Sequence, residues 1–171
     1  MPAWPAAFDA LDVRLTRWTA RHGITLLRIS IGVVYLWFGL LKFFPGMSPA
    51  QDLATRTIGA LTFGLVPGAV SVPLLAALET VLGLGLLSGR YLRATILLLL
   101  ALQMAGTFTP LLLFPEETFS RFPIAPTLEG QYIIKNIVLV SAAVLIGATV
   151  RGGLVIADPV AAREAREKEA P

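Results

Sequence analysis

The amino-acid sequence predicts an all-α membrane protein, a membrane-embedded four-helix bundle with an N-terminal amphipathic interfacial helix and a short outer-loop helix. Three observations predict this class. Hydrophobic residues make up 56% of the 171 residues and charged residues only 15%, against roughly 25% in soluble domains. The apolar residues form four runs, and each run has the length of ~20 residues that a helix needs to cross a bilayer. Each run also carries one or two ionisable or amide side chains, which usually face a bundle interior. The runs are Ile24–Phe44, Val70–Ser88, Ala94–Phe114 and Tyr132–Val150.

The connections between these runs are short, so one membrane domain is expected over residues 24–150. An amphipathic segment at the cytoplasmic face precedes it over residues 1–23, and a polar cytoplasmic tail follows over residues 151–171. The first run has full span length and no small-residue cleavage site behind it. We therefore expect it to remain as an anchor and not to be removed as a signal peptide.

Composition excludes several classes of function. The chain has no cysteine, which excludes disulfides, thiol catalysis, iron–sulfur clusters and thiolate-bound haem. Its single histidine, His22, precedes the first run, which excludes a bis-histidine haem inside the bundle. The formal net charge of +3 is too small to indicate a nucleic-acid partner.

The distribution of basic residues predicts the orientation. Cytoplasmic loops of membrane proteins carry an excess of lysine and arginine. The bias here predicts a multi-pass protein with both termini and the loop between the second and third runs in the cytoplasm. The basic residues on the predicted cytoplasmic side are Arg14, Arg17, Arg21, Arg90, Arg93, Arg151, Arg163, Arg166 and Lys168, whereas the outer loops hold only Arg56 and Arg121.

The segment before the first run has the pattern of an amphipathic helix. Five apolar residues recur at steps of four and three, and three arginines group to one side. We expect this helix to lie in the cytoplasmic headgroup region, with its aromatic rings inserted and its arginines on anionic lipid. A docking helix for a soluble partner is the alternative. The five residues are Trp4, Phe8, Leu11, Leu15 and Trp18.

The outer loops differ from each other. Ser48, Pro49 and Gln51 form a capping-box signature, which predicts a short helix over about Pro49–Phe63. The second outer loop, Pro115–Gln131, is rich in proline and acidic residues and predicts an ordered, non-helical rim. In the tail, residues 161–169 alternate basic residues with glutamate and predict a solvated helix end.

Polar and small residues share one face in each run. In the first run, Arg28, Tyr35 and Lys42 lie on one helical face with two glycines. Glu79 in the second run and Gln103 in the third share their faces with small residues as well. Glycines on such a face let a neighbouring helix approach closely. The candidate polar-core or ligand-binding residues are Arg28, Tyr35, Lys42, Glu79, Gln103, Lys135 and Asn136.

Depth in the bilayer predicts which of these residues meet. Arg28 lies about 9 Å to the cytoplasmic side of the midpoint of its run, and Glu79 lies near mid-depth. An extended arginine covers that difference, so we expect an Arg28–Glu79 ion pair with Gln103 at the same depth. The two lysines, Lys42 and Lys135, are expected near the outer mouth. Their predicted acidic neighbours are Glu116, Glu117 and Glu129.

Three interpretations of this polar face stay open. In the first, Arg28 and Glu79 are a buried structural clamp, and both lysines extend to the interface. In the second, the same residues line a functional pocket. In the third, the polar residues are scattered and do not communicate.

The chain resembles a known family at three places. The segment Leu27–Gly32, followed by Tyr35–Phe43, is similar to the first-helix signature of DoxX/DoxD-like membrane proteins. Glu79 with Gly83 fits the second helix of that family. The segment Gln131–Asn136 looks like the opening of its last helix.

This resemblance covers roughly residues 25–150 and is closest to the RclC-like (YkgB-like) branch of bacterial inner-membrane proteins, which is linked to reactive-chlorine stress. It implies a four-helix membrane bundle in the inner (plasma) membrane. Relatives include a subunit of a thiosulfate:quinone oxidoreductase and partners in oxidative-stress complexes. By resemblance, Arg28, Lys42, Glu79 and Lys135 match the polar positions of the family.

Two classes of function follow. The first is a membrane subunit or scaffold without catalysis of its own and without a cofactor, acting in oxidative or reactive-chlorine stress defence. The second is a quinone-linked oxidoreductase subunit, with Arg28 and Glu79 holding a ring oxygen near the aromatic Tyr35. A transporter is disfavoured because no internal repeat or broken helix is apparent. The expected partners are the lipid bilayer, a membrane or soluble redox or stress protein, and a second copy of the chain. No enzyme signature is present, which favours the first class.

Overall fold

The computed structural model describes residues 6–48 and 51–169. Most of these residues are helical. The helices are α1 (Ala6–Leu41), α2 (Gln51–Leu61), α3 (Gly68–Ser88), α4 (Leu92–Leu98), a π-helical segment (Leu99–Met104), α5 (Ala105–Phe108), α6 (Pro110–Leu113), α7 (Pro115–Thr118), α8 (Leu128–Lys135), α9 (Ile137–Thr149) and α10 (Pro159–Glu169). Two short antiparallel strands, β1 (Phe119–Arg121) and β2 (Ala125–Pro126), form a hairpin between α7 and α8.

Four stretches are long and apolar enough to cross a membrane, as predicted. The protein is a multi-pass, all-α membrane protein. We number these stretches as spans 1 to 4, and we call the end of the bundle that carries α2 and the hairpin the loop end. The opposite end, where the described chain begins and finishes, is the terminal end. The spans are Phe8–Leu41, Gly68–Ser88, Leu92–Leu113 and Leu128–Thr149.

Spans 1 and 2 form the closest helix pair, and glycines set their antiparallel register. A Cβ atom on Gly83 would lie 2.5 Å from the backbone nitrogen of Leu36, and one on Gly39 would lie 2.8 Å from that of Thr80. Both distances are shorter than side chains tolerate, so only glycine allows the two backbones to approach this closely. Gly39 therefore faces the Glu79–Thr80 step.

The core lies where all four spans meet, and its members come from every span. Fully buried leucine, isoleucine and alanine side chains fill it, as expected for a bundle packed at the density of a crystal. The residues with no exposed surface include Leu82, Leu86, Leu99, Ala143 and Ile146. Large apolar side chains on the outer faces, such as Trp37 and Val138, are instead 64% and 70% exposed in the isolated chain, which fits helices surrounded by lipid.

The N-terminal segment is helical, as predicted, but it is not a separate interfacial helix. α1 continues without a break from Ala6 to Leu41, because no proline lies between these residues. Its 36 residues extend for about 54 Å, well beyond the ~30 Å of hydrocarbon. The segment therefore prolongs span 1 as part of the same helix. Trp4 of the predicted stripe lies outside the described residues; Leu11, Leu15 and Trp18 are exposed on the extension.

The first outer loop contains the predicted helix as α2. It begins at Gln51, and Pro49 lies outside the described residues. Phe63 and Gly64 both adopt positive φ angles, and the Gly64 amide donates to the Gly59 carbonyl oxygen at 2.8 Å. This six-residue closure ends the helix, as in a Schellman motif.

The second outer loop is ordered, as predicted, but it is not entirely non-helical, because α7 occupies its start. Thr127 joins the hairpin to α8. Its hydroxyl donates to the Glu117 carbonyl oxygen at 2.6 Å and accepts from the Gly130 amide at 3.2 Å, which caps α8. Thr118 is fully buried beneath this turn, and Gly130 leaves no room for a side chain against the Thr118 carbonyl oxygen.

Spans 3 and 4 are each long enough to cross a membrane, but they are not regular α-helices throughout. Span 3 contains the π-helical segment, followed by a turn at Thr109. Span 4 is interrupted at Asn136, whose amide donates to the Tyr132 carbonyl oxygen at 2.9 Å. Such local departures from α-helix are common at functional sites.

The tail helix α10 begins two residues earlier than predicted, because Asp158 caps it. The Asp158 carboxylate accepts from the amides of Val160 and Ala161 at 2.8 and 3.2 Å. These bonds, together with the nearby Arg17 guanidinium, hold the pKa of Asp158 below its ordinary value. The segment between span 4 and α10 thus returns towards α1.

Candidate functional site

A buried polar cluster joins the first three spans. Lys42 Nζ lies 2.6 Å from Glu79 Oε2, and Gln103 Nε2 donates to Glu79 Oε1 at 3.0 Å. The side chains of Lys42 and Glu79 are only 13% and 8% exposed. Both carboxylate oxygens of Glu79 are therefore engaged inside the bundle, and the lysine balances the charge. We call these three residues the Lys–Glu–Gln cluster.

Each member of the cluster is positioned by a different local feature. Glu79 lies near the middle of span 2, on the face that packs against Gly39. Lys42 follows the last residue of α1, and its Nζ also lies 3.4 Å from the Phe38 carbonyl oxygen, so it folds back over the helix end. Gln103 lies in the π-helical segment of span 3, where the wider turn alters the direction of side chains relative to a regular α-helix.

Further polar groups border the cluster without hydrogen-bond partners. Tyr35 is buried and lies close enough to interact electrostatically with Glu79, yet its hydroxyl makes no hydrogen bond with any described residue. The Gln103 Oε1 atom likewise has no partner within the described chain. The buried Thr80 hydroxyl, which faces Gly39, is also unpaired among these residues. The cluster thus offers hydrogen-bonding capacity beyond its own pairs.

The predicted Arg28–Glu79 ion pair is wrong. The Arg28 guanidinium donates to the carbonyl oxygens of Leu86 and Leu87, the latter at 3.3 Å, and packs against Gly89. These carbonyls belong to the last turn of α3, where no intrahelical donor is available. A cation at a helix C-terminus is also favoured by the helix dipole. Arg28 therefore caps span 2 at the terminal end, away from the Lys–Glu–Gln cluster.

The prediction failed because depth was measured from the centre of each apolar run. The actual register is set by the glycine contacts, which place Gly39 opposite Glu79 and bring Lys42 to the carboxylate. Lys42 and the small residues lay on the predicted polar faces of the first two runs, so aligning the glycines of those faces would have indicated this pair. The π-helical segment has no comparable signal in the sequence.

The remaining candidates lie elsewhere. Lys42 was expected near the glutamates of the second outer loop, but it forms an ion pair with Glu79 instead. Lys135 is exposed, with its Nζ 5.6 Å from the centre of the Tyr132 ring. Asn136 bonds within its own helix turn and takes no part in the cluster.

The loop end is held by another ion pair, which the sequence did not predict. Arg56 of α2 forms a two-pronged pair with Glu117, contacts Asp52 at 3.0 Å, and lies over the Phe114 ring at 5.1 Å. Its hydrogen bonds to Glu117 lower the pKa of that carboxyl below the ordinary value and raise the pKa of Arg56. This contact joins α2 to the second outer loop.

The arrangement has limited chemical capacity of its own. Within residues 6–48 and 51–169, no group of three histidine, aspartate or glutamate side chains could hold a metal ion. The Lys–Glu–Gln cluster can hold three helices together, exchange a proton at Glu79, or hydrogen-bond a polar ligand through Tyr35 and Gln103.

Comparison with known proteins found no matching family model, curated protein or solved structure. The resemblance to DoxX-like proteins therefore stays a prediction.

Proposed function

We propose that this protein is a DoxX-like inner-membrane protein that acts as a membrane subunit or scaffold in oxidative or reactive-chlorine stress defence, without catalysis of its own. The observation that supports this role is the closed bonding of the Lys–Glu–Gln cluster. Because Lys42 and Gln103 occupy both oxygens of Glu79, the carboxylate serves to fix spans 1, 2 and 3 in one arrangement.

The N-terminal extension of α1 supports the same proposal. It carries Leu11, Leu15 and Trp18, all exposed, on a helix that is continuous with span 1. Because this helix is continuous with span 1, a partner that binds the extension is held in a fixed position relative to the bundle. The extension is therefore suited to holding a membrane or soluble partner at the terminal end.

A quinone-linked oxidoreductase subunit is the second candidate, and a specific observation favours it. The hydroxyl of Tyr35 and Oε1 of Gln103 lack hydrogen-bond partners in the described chain, although both residues are buried beside Glu79. A quinone has carbonyl oxygens that the Tyr35 hydroxyl could bind. When an external electron donor such as thiosulfate reduces the quinone, the Glu79 carboxylate could relay the protons that the reduction consumes. This role requires the cluster to open.

A complementation experiment distinguishes the two candidates. Cells that lack the gene are complemented with either the parent protein or the Lys42→Met/Glu79→Gln double variant. They are then tested for survival in hypochlorous acid and, separately, for the use of thiosulfate as electron donor. The scaffold proposal expects the double variant to keep protection from hypochlorous acid, provided that immunoblots show equal amounts in the membrane.

Two results decide against the scaffold. Loss of protection in a stably inserted double variant, together with quinone retained by the purified parent protein, supports the oxidoreductase. Unchanged sensitivity of cells that lack the gene overturns the role in stress defence. Lys135→Met serves as the matched control, because this exposed lysine is outside the cluster.

A further inference from the structure

A groove of about 450 Å³ opens at the terminal end, between α1, span 4 and the segment that leads to α10. Its volume is in the range of small-ligand sites. Polar Thr16 and Thr19 line one part of it, and apolar Ile24, Leu27 and Leu145 line the other. The groove therefore changes from polar to apolar along α1.

This change follows the depth of the bilayer. Ile24 and Leu27 begin the strongly apolar part of span 1. Thr19 lies about 7.5 Å from Ile24 along the axis of α1, towards the N-terminus. This distance is close to the thickness of one headgroup layer. The far wall is the apolar stretch Val155–Ala157, which returns along α1 after span 4. The groove thus extends from the headgroup layer into the hydrocarbon.

The charge around the groove is suited to an anion. Arg17 adjoins Thr16 in the sequence. Arg21 lies about one helical turn from Arg17, towards the apolar part of α1. No arginine of the terminal end forms a salt bridge with any described residue. The Asp158 carboxylate interacts with Arg17 at longer range but accepts hydrogen bonds from two α10 amides, so it does not bind the guanidinium directly. Besides Arg28, which caps span 2, the arginines at this end are Arg14, Arg17, Arg21, Arg90, Arg93, Arg151, Arg163 and Arg166.

We propose that the groove binds one anionic phospholipid of the surrounding bilayer. An acyl chain lies against Ile24, Leu27 and Leu145, and the phosphate lies beside Thr16 and Arg17. The Thr16 hydroxyl makes no hydrogen bond with the described residues and is a donor for the phosphate. The bound lipid fills the space between α1 and the segment before α10, so it joins the N-terminal extension to the tail.

Native mass spectrometry of the full chain in mild detergent tests this site. Phosphatidylglycerol and phosphatidylcholine with the same acyl chains are titrated separately. Gly23 lines the groove, and a Cβ atom there would meet nothing within 4 Å. The substitution Gly23→Leu therefore places a side chain in the groove, and its Cβ atom meets open space. Gly106→Leu is the matched control, because Gly106 in span 3 has equally open space and does not line the groove.

We expect the parent protein to retain one phosphatidylglycerol in preference to phosphatidylcholine. Gly23→Leu should weaken that binding about tenfold, the effect of losing the burial of roughly two methylene groups, whereas Gly106→Leu should leave it unchanged. Arg21→Gln, at an exposed position, should weaken phosphatidylglycerol alone and carries the test if Gly23→Leu does not fold. Equal retention of the two lipids by the parent protein overturns the proposal, as does unchanged binding in Gly23→Leu and Arg21→Gln.

Discussion

At the scale of single residues, the Lys–Glu–Gln cluster resolves a problem that the sequence poses. An ionised side chain at the centre of a membrane helix costs at least ~2.5–3.5 kcal/mol on insertion scales. Glu79 offsets this cost by binding Lys42 and Gln103 directly. Charge-assisted hydrogen bonds of this kind are stronger than neutral ones, so the cluster is internally compensated.

The first prediction concerns the Lys42–Glu79 pair. Lys42→Met and Glu79→Gln should each destabilise the protein by ~3–5 kcal/mol if a charge is left unpaired, whereas the double variant should lie close to the parent protein. Thermal unfolding in detergent measures the three variants and gives the coupling energy of the pair. Lys135→Met is the control and should have little effect. Additive effects of the two single changes would show that the side chains do not interact.

The second prediction concerns the glycine contact between spans 1 and 2. Gly83→Ala should destabilise the protein by ~1–3 kcal/mol, because the added methyl group meets the Leu36 backbone, which cannot move aside as a side chain could. Gly106→Ala should be neutral or slightly stabilising, since its Cβ meets open space and alanine favours the helix. Unfolding by heat or denaturing detergent compares them. Equal stability of the two variants would contradict this register.

At the scale of secondary-structure elements, two features of the helices position functional groups. The π-helical segment holds Gln103, and the uninterrupted α1 carries the N-terminal stripe away from the bundle. The continuity of α1 follows from the absence of a helix breaker between Ala6 and Leu41. α1 is therefore expected to behave as one rigid rod.

The third prediction tests that rod. The chain has no native cysteine, so a thiol-reactive spin label attaches only at the two introduced cysteines. Labels at Asp12→Cys and Leu40→Cys should lie about 42 Å apart along a continuous helix, but only about 30 Å apart if the helix bent into the membrane plane near Gly23. Pulsed electron paramagnetic resonance measures this distance. A control pair at Leu26 and Leu40 should give about 21 Å in either case.

At the scale of the whole molecule, the two ends of the bundle are held differently. Arg56 and Glu117 join α2 to the second outer loop at the loop end. Arg28 caps span 2 at the terminal end. Because these contacts lie outside the Lys–Glu–Gln cluster, the bundle has three separate polar attachments along its length, one near each end and one between them.

The fourth prediction concerns orientation. The excess of arginine at the terminal end predicts that this end faces the cytoplasm. A reporter fused after Pro171 should be cytoplasmic, and one inserted after Leu65 should be on the outer side. An insertion after Arg90 should match the C-terminal fusion, because both positions lie at the terminal end. Outer accessibility of all three sites would contradict the four-span topology.

The sequence by itself determined the fold class, the four spans, the helix in the first outer loop and the identity of the polar residues. These follow from hydrophobic periodicity and from local capping and turn signals, which depend on neighbours in the chain. It also predicted Glu79 and Gln103 at one depth, and the structure brings them into contact.

Only the tertiary structure decided which cation meets Glu79. A shift of the register between two helices by a few residues exchanges Lys42 for Arg28, and hydropathy has no such resolution along the helix axis. Steric contact at Gly39 and Gly83 fixes that register, so the pairing is a property of helix packing. The hydrogen bond between Gln103 and Glu79 and the groove against α1 were also decided by the tertiary structure, because both arise where segments distant in the sequence pack together.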